Sequence, residues 1–239
     1  MKKLFALAAI AAAAIAPAHA LTTGDIAFTA FNADEDGWSL VSFVDITAGT
    51  EIFFSDSTAT SATVIGTGES SFKWVTGAIT AGDVIRFSAI DVAGRAASNG
   101  TFTAVGTGNL GLSATSETVY AFLGTSVTAV TTMLTAVSSE SSTNSLTTVG
   151  LTAGTNAIKL TSSADFAGYT GARAGEMSFA AYAPMVNNAA NWAINVGGDG
   201  TGVLPSTVNF TVTAVPEPET YALMLAGLAA VGMMARRRA

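Results

Sequence analysis

Between residues 21 and 214, β-branched and apolar runs of five to nine residues alternate with clusters of Gly, Asp, Asn and Ser. No long stretch of this body repeats its apolar residues at the helical spacing of about 3.6 residues, so no long helix is expected in it. Short runs punctuated by turn formers bury their side chains as strands instead. The pattern confines the body to an all-β sandwich or barrel. Strands are predicted over 25–31, 38–45, 51–55, 71–75, 83–90, 118–123, 128–134, 157–160, 192–195 and 206–212. Short helical turns are expected near 163–169 and 185–191.

The first hairpin is the clearest local unit. Ile26 to Phe31 alternates on one side of the loop Asn32-Ala33-Asp34-Glu35-Asp36-Gly37, and Trp38 to Val44 follows on the other. Asp-Gly supplies the positive φ that tight hairpin turns require. Three further turns share a pattern: Ile46-Thr47-Ala48-Gly49, Ile79-Thr80-Ala81-Gly82 and Leu151-Thr152-Ala153-Gly154. Their spacings of 33 and 72 residues are too unequal for a solenoid, so they read as one favourable turn used three times.

The two ends depart from the β pattern. Lys2 and Lys3 precede an apolar stretch over 4–16, and Ala18-His19-Ala20 ends it. A basic start, an apolar middle and a small-residue cleavage site make a secretory signal peptide over 1–20, removed by signal peptidase. At the other end, Val215-Pro216-Glu217-Pro218 leads into an apolar run, which Arg236, Arg237 and Arg238 close. The apolar run is short for a full membrane span. The arginines would stay on the cytoplasmic side. Three parts follow: 1–20 signal peptide, 21–214 exported domain and 215–239 sorting signal.

The chain holds 17 acidic and ten basic residues. Five of the basic ones and two of the acidic ones lie in the terminal signals, which leaves the body with 15 against five, a net charge of −10. A body so acidic is repelled by nucleic acid and by anionic lipid. There is no cysteine, and the single histidine, His19, leaves with the signal peptide. Thiol chemistry, His-dependent triads and the usual zinc sites are excluded from the mature body. A Ser-Lys pair would need Ser-x-x-Lys, and Ser71-Phe72-Lys73 is one residue short. The stretch Ser138-Ser139-Glu140-Ser141-Ser142 reads as a flexible surface loop.

Three kinds of site remain. The hairpin loop is a candidate calcium site, since Asn32, Asp34 and Asp36 place oxygens at alternate residues before a glycine. It lacks the closing glutamate, because its twelfth position is Phe43. The competing reading is a solvated acidic loop. Apart from calcium, no cofactor is called for. Paired carboxylates for hydrolysis could come from Asp45, Glu51, Asp56, Glu69, Asp83, Asp91 and Glu117, but sequence does not show which of them meet. Trp38, Trp74, Trp192, Phe53, Phe54, Phe72 and Tyr182 could form a carbohydrate-stacking platform, but such residues in strands more often make the core.

The tail resembles the PEP-CTERM sorting signal of Gram-negative bacteria. Val215, Pro216, Glu217 and Pro218 match its motif, the run over 223–234 its helix, and Arg236, Arg237 and Arg238 its basic end. The resemblance implies handling by an exosortase-type membrane protease, transient anchoring in the inner membrane, and a final place at the cell surface or outside the cell. It also implies an exopolysaccharide setting. The body is more loosely similar to lamin-tail-type, immunoglobulin-like sandwiches, through Gly24 to Thr29, Phe31 to Asp34, Phe43 to Thr50, Phe72-Lys73-Trp74 and Ala190-Asn191-Trp192. That resemblance carries no catalytic residue. The expectation is an immunoglobulin-like β-sandwich that is not an enzyme and serves a structural or adhesive role, with a carbohydrate- or calcium-binding module and a two-carboxylate hydrolase as the alternatives.

Overall fold

Asp36-Gly37 turns the chain where its φ preference predicts. Strand β1 (Ile26–Asn32) pairs antiparallel with β2 (Gly37–Ser42), from Ile26 opposite Ser42 to Asn32 opposite Gly37. Asp36 takes the left-handed conformation at φ 47°. The computed structural model describes residues 20–106, 108–213, 223–229 and 235–236. Residues 1–19 of the expected signal peptide over 1–20 lie outside the described residues, and so do Val215, Pro216, Glu217, Pro218, Arg237 and Arg238.

The chain continues through β3 (Glu51–Ser55), β4 (Ala59–Ser61), β5 (Val64–Ile65), β6 (Ser71–Val75), β7 (Val84–Ser88), β8 (Ala96–Ala97) and β9 (Thr101–Ala104). A long hairpin follows, β10 (Thr118–Ser126) and β11 (Ala129–Ser138), then the short helix α1 (Asn144–Thr148) and β12 (Ile158–Lys159). The last elements are β13 (Phe166–Tyr169), helix α2 (Ala183–Val186) and β14 (Trp192–Asn195). They build two sheets. One has the order β14-β13-β1-β2-β7-β8, the other β4-β5-β11-β10-β3-β6-β9, with β12 added beside β11. Among these strands, pairings are antiparallel except for β11 with β12.

The sheets close as an all-β sandwich because strands from both point aromatic residues into one interior. Trp38 of β2 lies 5.3 Å from Phe54 of β3, 5.9 Å from Phe72 of β6 and 5.6 Å from Phe87 of β7, centroid to centroid. Alternation along β3 explains its unbroken apolar run. Ile52 and Phe54 enter this main core, while Phe53 joins a second cluster with Tyr120, Phe122, Met133 and Leu146. Both faces of β3 are therefore covered, the second with help from α1.

The three repeated turns are one device. Gly49, Gly82 and Gly154 all have positive φ, at 88°, 94° and 83°. In each, the fourth residue donates its N–H to the threonine carbonyl: Thr50 to Thr47, Asp83 to Thr80 and Thr155 to Thr152. Glycine stands at the third place of a four-residue turn, where positive φ is needed. The first two turns also meet: Ile46 and Ile79 exchange both backbone hydrogen bonds, at 2.9 and 3.0 Å.

Two predicted elements are corrected. The expected helical turn over 163–169 contains β13 instead, because pairing with β1 and β14 on either side fixes Phe166 to Tyr169 as extended chain. Residues 206–212, expected as a strand, form a strap with only an isolated bridge at Val212. Its N–H groups change partners: Phe210 donates to Gly82, Thr211 to Arg173 and Thr213 to Glu176. A run that divides its bonds among separate loops makes no ladder. Arg173 clamps the strap by donating to the Val208 carbonyl at 2.7 Å, with its guanidinium 4.8 Å from the Phe210 ring centre.

Candidate functional site

The hairpin loop gives its oxygens to the backbone. Asn32 is buried; its Nδ2 donates to the carbonyls of Gly200 and Val203, and its Oδ1 accepts from the N–H groups of Asp34 and Glu35. Asp34 accepts from the Gly200 N–H at 2.6 Å, Glu35 from the Gly202 N–H, and Asp36 from the Leu112 N–H at 2.6 Å. Burial, and the neighbouring Asp91, Asp34 and Glu35 charges, raise the Asp36 carboxyl above its ordinary value, against the lowering effect of the Leu112 bond. The three proposed calcium ligands thus fasten the hairpin to two other segments. Among the described residues no group of three or more acidic, His or Cys side chains is placed to hold a metal ion.

The aromatics belong to the core, as residues of this kind in strands more often do. Trp38, Trp74, Trp192, Phe53, Phe54, Phe72 and Tyr182 are all buried. The indole N–H groups of Trp74 and Trp192 point inward, to the carbonyls of Asn99 and Val186 at 2.7 Å each. A sugar ring has no exposed aromatic face to meet at these positions.

The carboxylates sort themselves by strand register. Antiparallel pairing puts the C-terminal ends of β3 and β11 beside the N-terminal ends of β6 and β10: Ser55 faces Ser71 and Tyr120, and Thr118 faces Ser138. Residues just beyond these ends therefore converge. They are Asp56, Glu69, Glu117 and Glu140, which wall a cavity of about 510 Å³ together with Tyr120 and Ser145. The other predicted carboxylates lie elsewhere. Asp45 accepts from the Ala81 N–H, Glu51 pairs with Lys73 at 3.1 Å, Asp83 caps the Thr80 N–H, and Asp91 acts on Asp36.

Two of the four carboxyls are nearly enclosed, Asp56 and Glu117 at 8% exposure each. Asp56 Oδ2 accepts from the Ser70 hydroxyl, while Oδ1 is buried with no hydrogen-bond partner. Burial is the largest influence on its acidity, opposed by the Ser70 bond and reinforced by Glu69, and the carboxyl is pushed up to about 6. Glu117 accepts from the N–H groups of Ser113 at 2.8 Å and Thr118 at 3.0 Å. Burial outweighs these bonds, the Asp56 and Glu69 charges add to it, and the carboxyl is pushed up to about 7. The residue before it, Ser116, has φ 58°, a conformation that favours glycine. Tyr120, also walled in, has its hydroxyl raised by burial and by Glu140.

Glu140 was hidden in the sequence by its setting. Ser138 and Ser139 are fully buried, and Thr118 donates its hydroxyl to Glu140 Oε1 at 2.8 Å. Of the serine-rich segment, Ser138 and Ser139 are thus packed inside and Glu140 lines the cavity, while Ser141 and Ser142 are exposed. The available signal was local: β11 ends in a run, Met133 to Val137, that is mostly apolar and leads straight into Ser138.

At the C-terminus, 223–229 and 235–236 are helical, with Leu223, Met224, Leu225 and Leu228 exposed. Among the described residues no helix is long and apolar enough to cross a membrane. Comparison with curated proteins and with solved structures gives no match. Residues 214–238 match the family model of the PEP-CTERM protein-sorting motif, and the chain carries that export and sorting signal at its C-terminus.

Proposed function

We propose that residues 21–214 form a non-enzymatic surface or matrix domain, exported, held briefly in the inner membrane by the tail and then cut near Glu217 or Pro218. The match at 214–238 supports this reading, since it implies processing by an exosortase-type system. The body is taken as an immunoglobulin-like sandwich of the lamin-tail type, on the strength of its sequence resemblance. Mass spectrometry of the protein recovered from the cell surface tests the processing. The expected product lacks Arg236, Arg237 and Arg238, and full-length chain persisting at the surface would overturn the proposal.

A second reading assigns the body a carbohydrate-binding role in an exopolysaccharide setting. What favours it is the cavity of about 510 Å³ walled by carboxylates and hydroxyls, a size that suits a small ligand. Calorimetry with oligosaccharides tests it. No heat with neutral, cationic or anionic sugars would remove it.

A further inference from the structure

The body is fastened from its first residue, where a domain's end is usually loose. Leu21 is 5% exposed and packs in the main core, while Ala20 before it is exposed. Thr22-Thr23-Gly24-Asp25 then makes a fourth copy of the threonine-to-glycine turn. Asp25 donates its N–H to the Thr22 carbonyl at 3.1 Å, and Gly24 has φ 91°. The Asp25 carboxylate closes the same turn, accepting from the Thr22 N–H at 2.6 Å and the Thr22 hydroxyl at 3.0 Å. Two bonds fix the turn to β11. The Thr23 hydroxyl donates to the Met133 carbonyl at 2.7 Å, and the Gly24 N–H to the Leu134 carbonyl at 2.9 Å.

The expected signal-peptide cut falls at the edge of this arrangement, between Ala20 and Leu21. Burial and backbone bonding decide whether a protease can open a chain. From Ala20 to Gly24 is four residues, at most about 14 Å of chain. The residues that would have to enter the peptidase cleft beyond the cut are therefore in the core, as Leu21 is, or turned back against β11. A body that docked Leu21 first would stay joined to its signal.

We infer that hydrolysis of the Ala20–Leu21 bond precedes the docking of Leu21, because the folded body withholds that bond from the peptidase. In the cut, water adds across the peptide bond. The signal leaves with a carboxylate on Ala20, and the body keeps an ammonium on Leu21. The turn suits this new end. Successive backbone nitrogens lie at most about 3.7 Å apart, so the ammonium stands within about 6 Å of the carboxylate that Thr22 already bonds. Asp25 gives it an opposite charge, which the uncut amide cannot use. The inference rests on the export reading, with 1–20 as the removed signal.

The test digests folded full-length protein, made by cell-free synthesis in detergent, with purified signal peptidase. A companion chain carries a Gly-Ser-Gly-Ser insert between Ala20 and Leu21, which moves the bond clear of the core. Each rate is divided by that of an unfolded peptide covering 11–30 of the same sequence, which removes any preference of the enzyme for the residue after the cut. The insert should be cut at least about tenfold faster than the native chain, since cutting a closed segment waits on its opening. Asp25→Ala, which frees Thr22, should raise the native rate severalfold, while Glu51→Gln leaves it unchanged. If Asp25→Ala fails to fold, the insert alone decides. A normalised ratio of insert to native near one or below would overturn the inference and keep the signal reading. Peptides and chains all left uncut would overturn both.

Discussion

Asp34 Oδ2 accepts a hydrogen bond of 2.6 Å from the N–H of Gly200, a residue 166 positions later in the chain. With the two bonds from Asn32 Nδ2 to Gly200 and Val203, it fastens the first hairpin to the segment leading into the C-terminal strap. Asp34→Ala removes one charged acceptor and should cost about 1–3 kcal/mol in urea denaturation. Asn32→Ala removes a buried side chain with four bonds and should cost more, about 2–4 kcal/mol. Because these oxygens already have donors, melting temperatures in calcium and in chelator should agree within about 1 °C. A calcium-dependent rise of several degrees, lost in Asp34→Ala, would show a calcium site instead.

The two enclosed carboxyls make stability depend on pH in an uncommon direction. Asp56 and Glu117 sit above their ordinary values of 3.8 and 4.5 in the folded protein, at about 6 and about 7. The folded state therefore holds protons that the unfolded chain has released. Their contribution is fully present below about pH 4 and is lost as pH rises through 6 and 7. Together the two groups amount to about 6 kcal/mol at most, since each tenfold change in proton affinity is worth about 1.4 kcal/mol. The charged and titratable groups facing them are Glu69, Glu140 and Tyr120. Urea denaturation at intervals across this range should show the fall, and Asp56→Asn with Glu117→Gln should flatten it. A slope unchanged in the double variant would place its source elsewhere.

The three matched turns allow a controlled comparison. A Cβ added at Gly49 or Gly154 meets nothing within 4 Å, so alanine there meets only the left-handed backbone, about 1–2 kcal/mol. At Gly82 the same atom would strike the Phe179 ring and stand 2.5 Å from the Phe210 carbonyl oxygen. Gly82→Ala should cost at least about 1 kcal/mol more than the other two. Equal losses at all three positions in urea denaturation would show that the Phe179 and Phe210 contacts yield without cost.

Burial of the three tryptophans predicts an optical signature. With Trp38 and Trp74 at 1% exposure and Trp192 at 7%, emission should be blue-shifted and scarcely quenched by acrylamide. Trp38→Ala should destabilise the protein by about 3–5 kcal/mol, the range for a large aromatic lost from a packed core.

The sequence was most informative where a residue's own chemistry decides its conformation. Asp36-Gly37 and the three Thr-Ala-Gly turns are local devices, and β3, β6 and β14 begin and end where alternation placed them. It misled where partners distant in the chain decide. Phe166 to Tyr169 carries no strong strand pattern, yet two neighbouring strands hold it extended. The acidic cavity was legible only as a scatter of carboxylates. What joins Asp56 to Glu117 is the pairing of β3 with β10, and 61 residues of chain separate the two. Glu140 was missed because serines around it suggest solvent, whereas burial of Ser138 and Ser139 comes from the long hairpin.

The strap that ends the sandwich also sets a leash. Thr213 donates its N–H to the Glu176 carbonyl at 2.8 Å, so the body is fastened to within one residue of the sorting signal at 214. From Thr213 to Pro218 is five residues of chain, at most about 18 Å when fully extended. A protease cutting near Glu217 or Pro218 would have to work in contact range of the folded domain. Any surface joined to the new C-terminus would hold the sandwich close, by the end that carries Phe210 and Arg173, leaving little freedom to swing.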